Sequence, residues 1–245
     1  MNLIQGDCLV ELKKLENKSV DFVFLDLPYG QTACAWDKKI DLDALWIELK
    51  RIAKNDRTPF FFTTTTKFGY ELIKANEKWF RWDLVWKKNR GAGFLNAYRL
   101  PMRKHEMIYC FAKKSPDYDV SSHSEYTEQK EYNSKLSNKL YGKQNDVVAK
   151  LHKNKLPTSI CPPQEEQPSS WCEFSLDNKT GHRTAKPIKL MEYLLKYWSK
   201  EGDTVLDPTM GSGSMGIACK NMNRKFIGIE LNEDIYQLAQ KRIGD

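Results

Sequence analysis

The sequence predicts an α/β fold built on a mostly parallel, twisted sheet, and three observations predict it. Short runs of β-branched and aromatic residues alternate with segments whose apolar residues recur at helical spacing. Two of those runs stop at turns rich in functional side chains, Asp26-Leu27-Pro28-Tyr29 and Asp207 to Gly213, and open α/β sheets place their ligands at the carboxyl ends of strands. The chain has 245 residues, 40% hydrophobic and 29% charged, with 13 Gly and 10 Pro. That balance excludes disordered, collagen-like and low-complexity classes and suffices to bury a sizeable core.

Residues 20–25 (VDFVFL) form a short apolar run ending at Asp26-Leu-Pro, the pattern of a buried strand and turn. Residues 41–54 carry Leu42, Leu45, Trp46, Leu49 and Ile52 at helical spacing behind an Asp able to cap them. Residues 59–65 predict another strand, 67–76 a helix, and 81–86 and 107–111 further strands. From 115 to 180 the chain turns polar and Ser/Asn/Lys-rich, with a Pro cluster at Cys161-Pro-Pro, which predicts an insertion or small subdomain. A helix over 187–198, a strand over 204–207, a helix over 212–221, a strand over 226–230 and a helix over 233–242 then restore the βαβ rhythm. No internal repeat is visible.

The net charge of +7 favours an anionic partner. Apolar stretches fall far short of the roughly 18 residues that cross a bilayer, and the start lacks a basic segment followed by a long apolar run. A cytoplasmic protein without a membrane partner is expected. The six cysteines show no CxxC and the four histidines no HxxxH, so neither disulfides nor a metal site is expected.

Residues 205–216 (VLDPTMGSGSMG) describe a strand running into a glycine-rich turn that opens a helix. Such a turn lets a ligand lie against bare backbone at a helix N-terminus. Glu230 ends the next strand, where a carboxylate can accept hydrogen bonds from a ribose diol. Together they suggest a nucleoside-bearing cofactor. Gly211, Gly213 and Gly216 also satisfy GxGxxG, which helix packing alone can produce. Asp26-Leu27-Pro28-Tyr29 is either a plain strand terminus with a Pro turn or a catalytic turn. In the second case its chemistry suits the exocyclic amine of a nucleobase, whose lone pair is delocalised into the ring. A carboxylate and a nearby main-chain carbonyl that accept the two amine hydrogens would localise that pair as nitrogen becomes tetrahedral. Tyr29 would stack on a base turned out of the duplex, with Pro28 holding the backbone.

The pairing of DLPYG near one end with DPTMGSGS near the other resembles the amino-group DNA methyltransferases that use S-adenosylmethionine, in the permuted order called the β class. The resemblance covers nearly the whole chain. It implies a Rossmann-like methyltransferase fold with circularly permuted motifs: residues 1–114 as the catalytic part, 115–180 as an inserted target-recognition region, and 181–245 as the cofactor-binding part of the same domain. It implies Asp26, Leu27, Pro28 and Tyr29 as the catalytic turn. Gly6-Asp7-Cys8 is similar to the family's GD element, whose acid contacts the cofactor's adenine moiety. His182-Arg-Thr184-Ala-Lys186-Pro187 is similar to H-P-T-Q-K-P, which binds the methionine part. Asp207, Thr209, Gly211, Gly213 and Ser214 match D-P-F-x-G-S-G, and Glu230 matches the ribose-binding acid. Residues 85–89 and 105–108 resemble the segments bracketing the catalytic face.

Leu27 departs from the first Pro of D-P-P-Y, Thr209 from Phe, and Arg183 and Ala185 from Pro and Gln. The first of these leaves the main-chain carbonyl in place. An Asp at position 26 resembles the N6-adenine enzymes more than the N4-cytosine ones. The resemblance therefore implies site-specific methylation of adenine N6 in double-stranded DNA. Cytosine N4, RNA or a protein glutamine remain rivals on the same fold, and an NAD-type oxidoreductase or a non-catalytic DNA binder are rivals of other classes. The oxidoreductase leaves DLPY and Lys186-Pro187 unexplained. With no Pro-Cys dipeptide, the thiolate expected of cytosine-C5 enzymes is missing. Whether the chain forms a homodimer, and whether a restriction endonuclease accompanies it, stay open.

Residues 81–114 hold nine Lys/Arg against Asp83 and Glu106, an excess as large as that of the entire chain. Trp82, Trp86, Phe94 and Tyr98 are interleaved with them, and Arg90-Gly-Ala-Gly93 predicts a mobile loop. This is either a solvated basic face or a surface for phosphate contacts and base extrusion, with Lys87, Lys88, Arg90, Arg99, Arg103 and Lys104 as candidate DNA-binding residues. Lys135, Lys139, Lys143, Lys150, Lys153 and Lys155 form a second basic stretch open to the same two readings.

Overall fold

The computed structural model describes residues 1–31, 37–93, 97–119, 170–175 and 185–244. They belong to one compact unit, Met1–Asp119 with Ser169–Asp245; a second unit, Val120–Pro168, lies outside the described residues, as does the Lys135 to Lys155 stretch. The strands are β1 (Asn2–Gln5), β2 (Phe22–Leu25), β3 (Phe60–Thr64), β4 (Phe80–Ala92), β5 (Arg103–Phe111), β6 (Trp171–Glu173), β7 (Thr204–Asp207) and β8 (Lys225–Glu230). The helices are α1 (Cys8–Glu11), α2 (Leu42–Ile52), α3 (Thr66–Ala75), α4 (Ile188–Trp198), α5 (Ser214–Asn221) and α6 (Glu233–Gly244).

The strands form one sheet in the order β1-β8-β7-β2-β3-β5-β4-β6. Only β5 runs against its neighbours; every other pairing is parallel. β2 and β3 are buried along their whole length because helices cover both faces of the sheet. Phe22, Phe24 and Phe61 face Leu190, Met191, Leu194 and Leu195 of α4, together with residues of α5 and α6. Val23, Leu25, Phe60 and Phe62 face Leu45, Trp46, Leu49 and Ile52 of α2 and Phe68 and Leu72 of α3. The alternation along each strand sorts its side chains between the two layers.

The helix starts follow local chemistry. Asp41 accepts hydrogen bonds from the Asp43 and Ala44 amides and so caps α2. Pro187 stands immediately before α4, where its missing amide proton is no loss. Connections from β2 to β3 and from β7 to β8 lead away from the β2/β7 boundary in opposite directions. The crevice beyond the carboxyl ends of β2 and β7 is therefore a topological switch point, the place where open sheets bind ligands.

Four elements differ from the sequence expectation. β1 and α1 have only four residues each and carry too little periodicity to be foreseen. β4 continues to Ala92, which pairs with Arg103. The mobile loop expected at Arg90-Gly-Ala-Gly93 is thus corrected to strand as far as Ala92, because cross-strand pairing outweighs the weak strand propensity of glycine. β6 arises inside the polar stretch, where three residues suffice to pair with β4. Among the described residues no helix is long and apolar enough to cross a membrane. Cys8, Cys110, Cys172 and Cys219 are buried free thiols.

Candidate functional site

Asp26 follows β2 directly, at the switch point, with its side chain 27% exposed. Its Oδ1 accepts hydrogen bonds from the Thr63 hydroxyl at the end of β3 and, at 3.3 Å, from the Tyr29 hydroxyl. Its Oδ2 accepts from Lys186 Nζ at 2.5 Å. Burial, reinforced by the charges of Asp26 and Glu106, holds the Tyr29 hydroxyl well above its ordinary pKa, so it remains a donor. The Tyr29 ring packs against Phe68 at 5.2 Å between centroids. Leu27 is buried in the core, and Pro28 is half-buried. Asp37 fixes the far side of the turn by accepting from the amides of Gly30 at 2.7 Å and Gln31 at 2.8 Å.

Lys186 lies between two carboxylates, Asp26 Oδ2 and Glu106 Oε2, the second at 3.7 Å. Burial alone would pull its ammonium pKa down, but Asp26 and Glu106 outweigh burial and the net shift is upward. Lys88 pairs with the other Glu106 oxygen, Oε1. The series Lys88, Glu106, Lys186, Asp26 thus links β4, β5, the approach to α4 and the end of β2.

The glycine turn lies alongside. Thr209 donates its hydroxyl to the Asp26 main-chain carbonyl at 3.3 Å, joining two segments 183 positions apart in sequence. Gly213 has φ 81, and a Cβ there would fall 2.8 Å from Ile243 Cδ1, so its task is close helix packing. Gly211 has φ 52 and no atom within 4 Å of a would-be Cβ, so its backbone borders open space. Glu230 ties the turn to the end of β8, accepting from the Gly211 amide at 3.0 Å and the Asn232 amide at 2.9 Å. Asp7 caps α1 through the Leu9 amide at 2.8 Å and remains exposed, and the Gly6 amide donates to the Glu230 carbonyl at 2.9 Å. Cys8, expected beside the cofactor, turns its thiol into the core, where burial and then Asp7 raise its pKa to about 11. Ser214 Oγ is buried with no hydrogen-bond partner among the described residues.

Asp207 is 3% exposed and accepts from the Thr209 amide at 3.1 Å. Burial, with the charges of Asp26 and Glu230 added, pushes its carboxyl pKa well above the ordinary range. The folded chain therefore binds this proton more tightly than the unfolded one, so stability falls as pH rises from the ordinary carboxylate range through the raised value. Asp207→Asn, which keeps an oxygen for Thr209, should accordingly raise Tm at pH 8 and leave it unchanged at pH 3. Thermal melts at the two pH values decide this, and equal shifts at both would refute it.

Not every expected residue converges here. His182 and Thr184 lie outside the described residues, while Lys186 reaches the Asp26 carboxylate and Pro187 stands at the start of α4. Lys87 is exposed, paired with Glu173 at 2.8 Å and placed over the Trp171 ring. Lys88 is a correction: strand alternation turns it inward to Glu106, only 12% exposed, rather than out to phosphates. Arg90 lies in β4, and Arg99, Arg103 and Lys104 are exposed. Sequence reasoning gave no role to Thr63, Asp37 or the charge of Glu106. The TTTT run closing β3 and the acid seven residues beyond Gly30 are signals only once the turn is known to need anchors.

A model of the family described as DNA methylase matches residues 20–241. The Type II methyltransferase M.HinfI of Haemophilus influenzae is 26% identical over 267 residues, covering 98% of this chain and 67% of that protein. The DNA adenine methyltransferase YhdJ of Escherichia coli (strain K12) is 25% identical over 255 residues, covering 98% and 82%. Two solved structures share the fold. The M1.HpyAVI–SAM complex has a TM-score of 0.63 at 22% identity, covering 98% of both chains. The cytosine-N4-specific PvuII DNA methyltransferase has a TM-score of 0.66 at 14% identity, covering 99% of this chain and 86% of that one.

Proposed function

The chain belongs to the DNA methylase family, and from that premise we propose that it methylates the N6 amine of adenine at a specific site in double-stranded DNA, using S-adenosylmethionine. The observation that carries this reading is the meeting of Asp26 and the glycine turn across the β2/β7 crevice, tied by the Thr209 to Asp26 hydrogen bond. The adenine assignment draws on Asp26 and on the name of the YhdJ relative.

The residues present fit the cofactor. Glu230, which holds the glycine turn, takes the ribose diol in this reading, Asp7 stands exposed, Gly211 leaves backbone open, and the buried Ser214 hydroxyl lacks a partner among the described residues. His182, Thr184, Lys186 and Pro187 complete this set by family resemblance. When bound, S-adenosylmethionine supplies an electrophilic methyl carbon on a sulfonium. Asp26 and the Leu27 carbonyl accept the two amine hydrogens and localise the nitrogen lone pair. Asp26 need not be a strong base, because the amine proton becomes acidic only once the nitrogen has been alkylated. Tyr29, braced on Phe68, offers its ring to the target base.

Residues 115–180 serve as the target-recognition region in this reading. A restriction endonuclease of the same specificity would complete a modification pair, in keeping with the Type II relatives. Arg99, Arg103 and Lys104 contact phosphates. Replacing all three by Ala should weaken DNA binding at every sequence and reduce the steepness of its salt dependence by about 0.9 per lost contact. A salt titration with an unchanged slope would remove them from the interface. Methylation-aware sequencing of DNA from an expressing host tests the main proposal: N6-methyladenine at one recurrent sequence is expected, and N4-methylcytosine or no modification would overturn it.

A further inference from the structure

Glu106 is a carboxylate that the chemistry above leaves without a task. Its Oε1 is held by Lys88, whereas its Oε2 is buried with no hydrogen-bond partner among the described residues and lies 3.7 Å from Lys186 Nζ. A buried acceptor left unmatched is unfavourable, so its position calls for a donor that arrives at some stage. Asp26 is in the opposite condition. Thr63 and Tyr29 occupy its Oδ1, and Lys186 occupies its Oδ2 at 2.5 Å. An amine hydrogen approaching Oδ2 meets the ammonium already seated there.

We propose that Glu106 is a positioning residue: as the target base enters, the Lys186 ammonium moves from Asp26 Oδ2 to Glu106 Oε2, freeing Asp26 to accept the amine hydrogen. The inference rests on the reading of Asp26 as the amine acceptor. The ammonium already lies between both carboxylates, so the move exchanges one ion pair for another, while Asp26 keeps the Thr63 and Tyr29 hydroxyls and gains the amine hydrogen. Lys88, only 12% exposed, pins the opposite oxygen of Glu106 and keeps the receiving oxygen aimed at Lys186. No covalent bond changes, and each group keeps its proton.

Steady-state kinetics on a duplex carrying the site found by sequencing provide the test. Glu106→Gln should lower kcat about 10- to 100-fold, the scale of a misplaced reacting group, while KM for S-adenosylmethionine stays within about twofold. Glu106→Asp should recover part of the loss. In a Lys186→Met background, where no ammonium remains to relocate, Glu106→Gln should lower kcat no further. Full activity of Glu106→Gln, or the same fold-loss in both backgrounds, overturns the proposal. If Glu106→Gln does not fold, a crystal structure of the unaltered protein with S-adenosylhomocysteine and that duplex decides. Lys186 Nζ on Glu106 is expected, and Nζ still on Asp26 refutes it. A methylating Asp26→Ala variant would sink the reading of Asp26; an inactive one beside a fully active Glu106→Gln would sink only the relay.

Discussion

Asp26→Ala should lose DNA methylation by about a thousandfold or more while binding S-adenosylmethionine within about threefold of the unaltered chain. The carboxylate is the group at the end of β2 that can draw a hydrogen from the amine and hold the lone pair toward the methyl carbon. None of its hydrogen bonds runs to the glycine turn except through its main-chain carbonyl, which the substitution keeps. The variant also removes the nearer of the two carboxylates beside the Lys186 ammonium, a change that destabilises buried sites. Folding should therefore be checked by melting alongside labelled-methyl incorporation and calorimetry. Adding Lys186→Met restores the charge balance and should recover Tm without recovering methylation. Undiminished methylation by Asp26→Ala would remove the aspartate from the chemistry.

Glu230→Ala should act on the other half of the site, raising the dissociation constant for S-adenosylmethionine about 30- to 100-fold. Hydrogen bonds to a charged group contribute about 1.5–3 kcal/mol each, and water replaces part of what two of them supply. The same carboxylate anchors the Gly211 and Asn232 amides, so its removal also loosens the turn that the cofactor must lie against. At saturating cofactor, kcat should recover to within a few-fold, because Glu230 does not touch the reacting amine. Calorimetry showing an unchanged dissociation constant would withdraw Glu230 from the cofactor site.

Much of this arrangement is legible in the amino-acid sequence. The apolar runs of β2 and β3 announce strands buried on both faces, and the caps and periodicity of α2 and α4 mark helices within a residue or two of where they occur. The two turns could be named because each follows a strand directly. What stayed hidden depends on neighbours that sequence does not order. Lys88 and Lys87 look alike in a basic run, yet the pleat sends one inward and the other out. The partner of Lys186 depends on β5 lying next to β3, a non-sequential pairing that no periodicity encodes. Cys8 shows the same limit: a position beside the cofactor edge says nothing of which way its thiol points.

The pairing of β2 with β7 joins Phe22 to Val205 and Val23 to Leu206. During synthesis, then, the aspartate emerges from the ribosome long before the strand beside it exists. Until that late strand docks, a nascent or prematurely terminated polypeptide has no assembled crevice and stays catalytically silent, so the genome is exposed to the activity only once translation has passed Asp207.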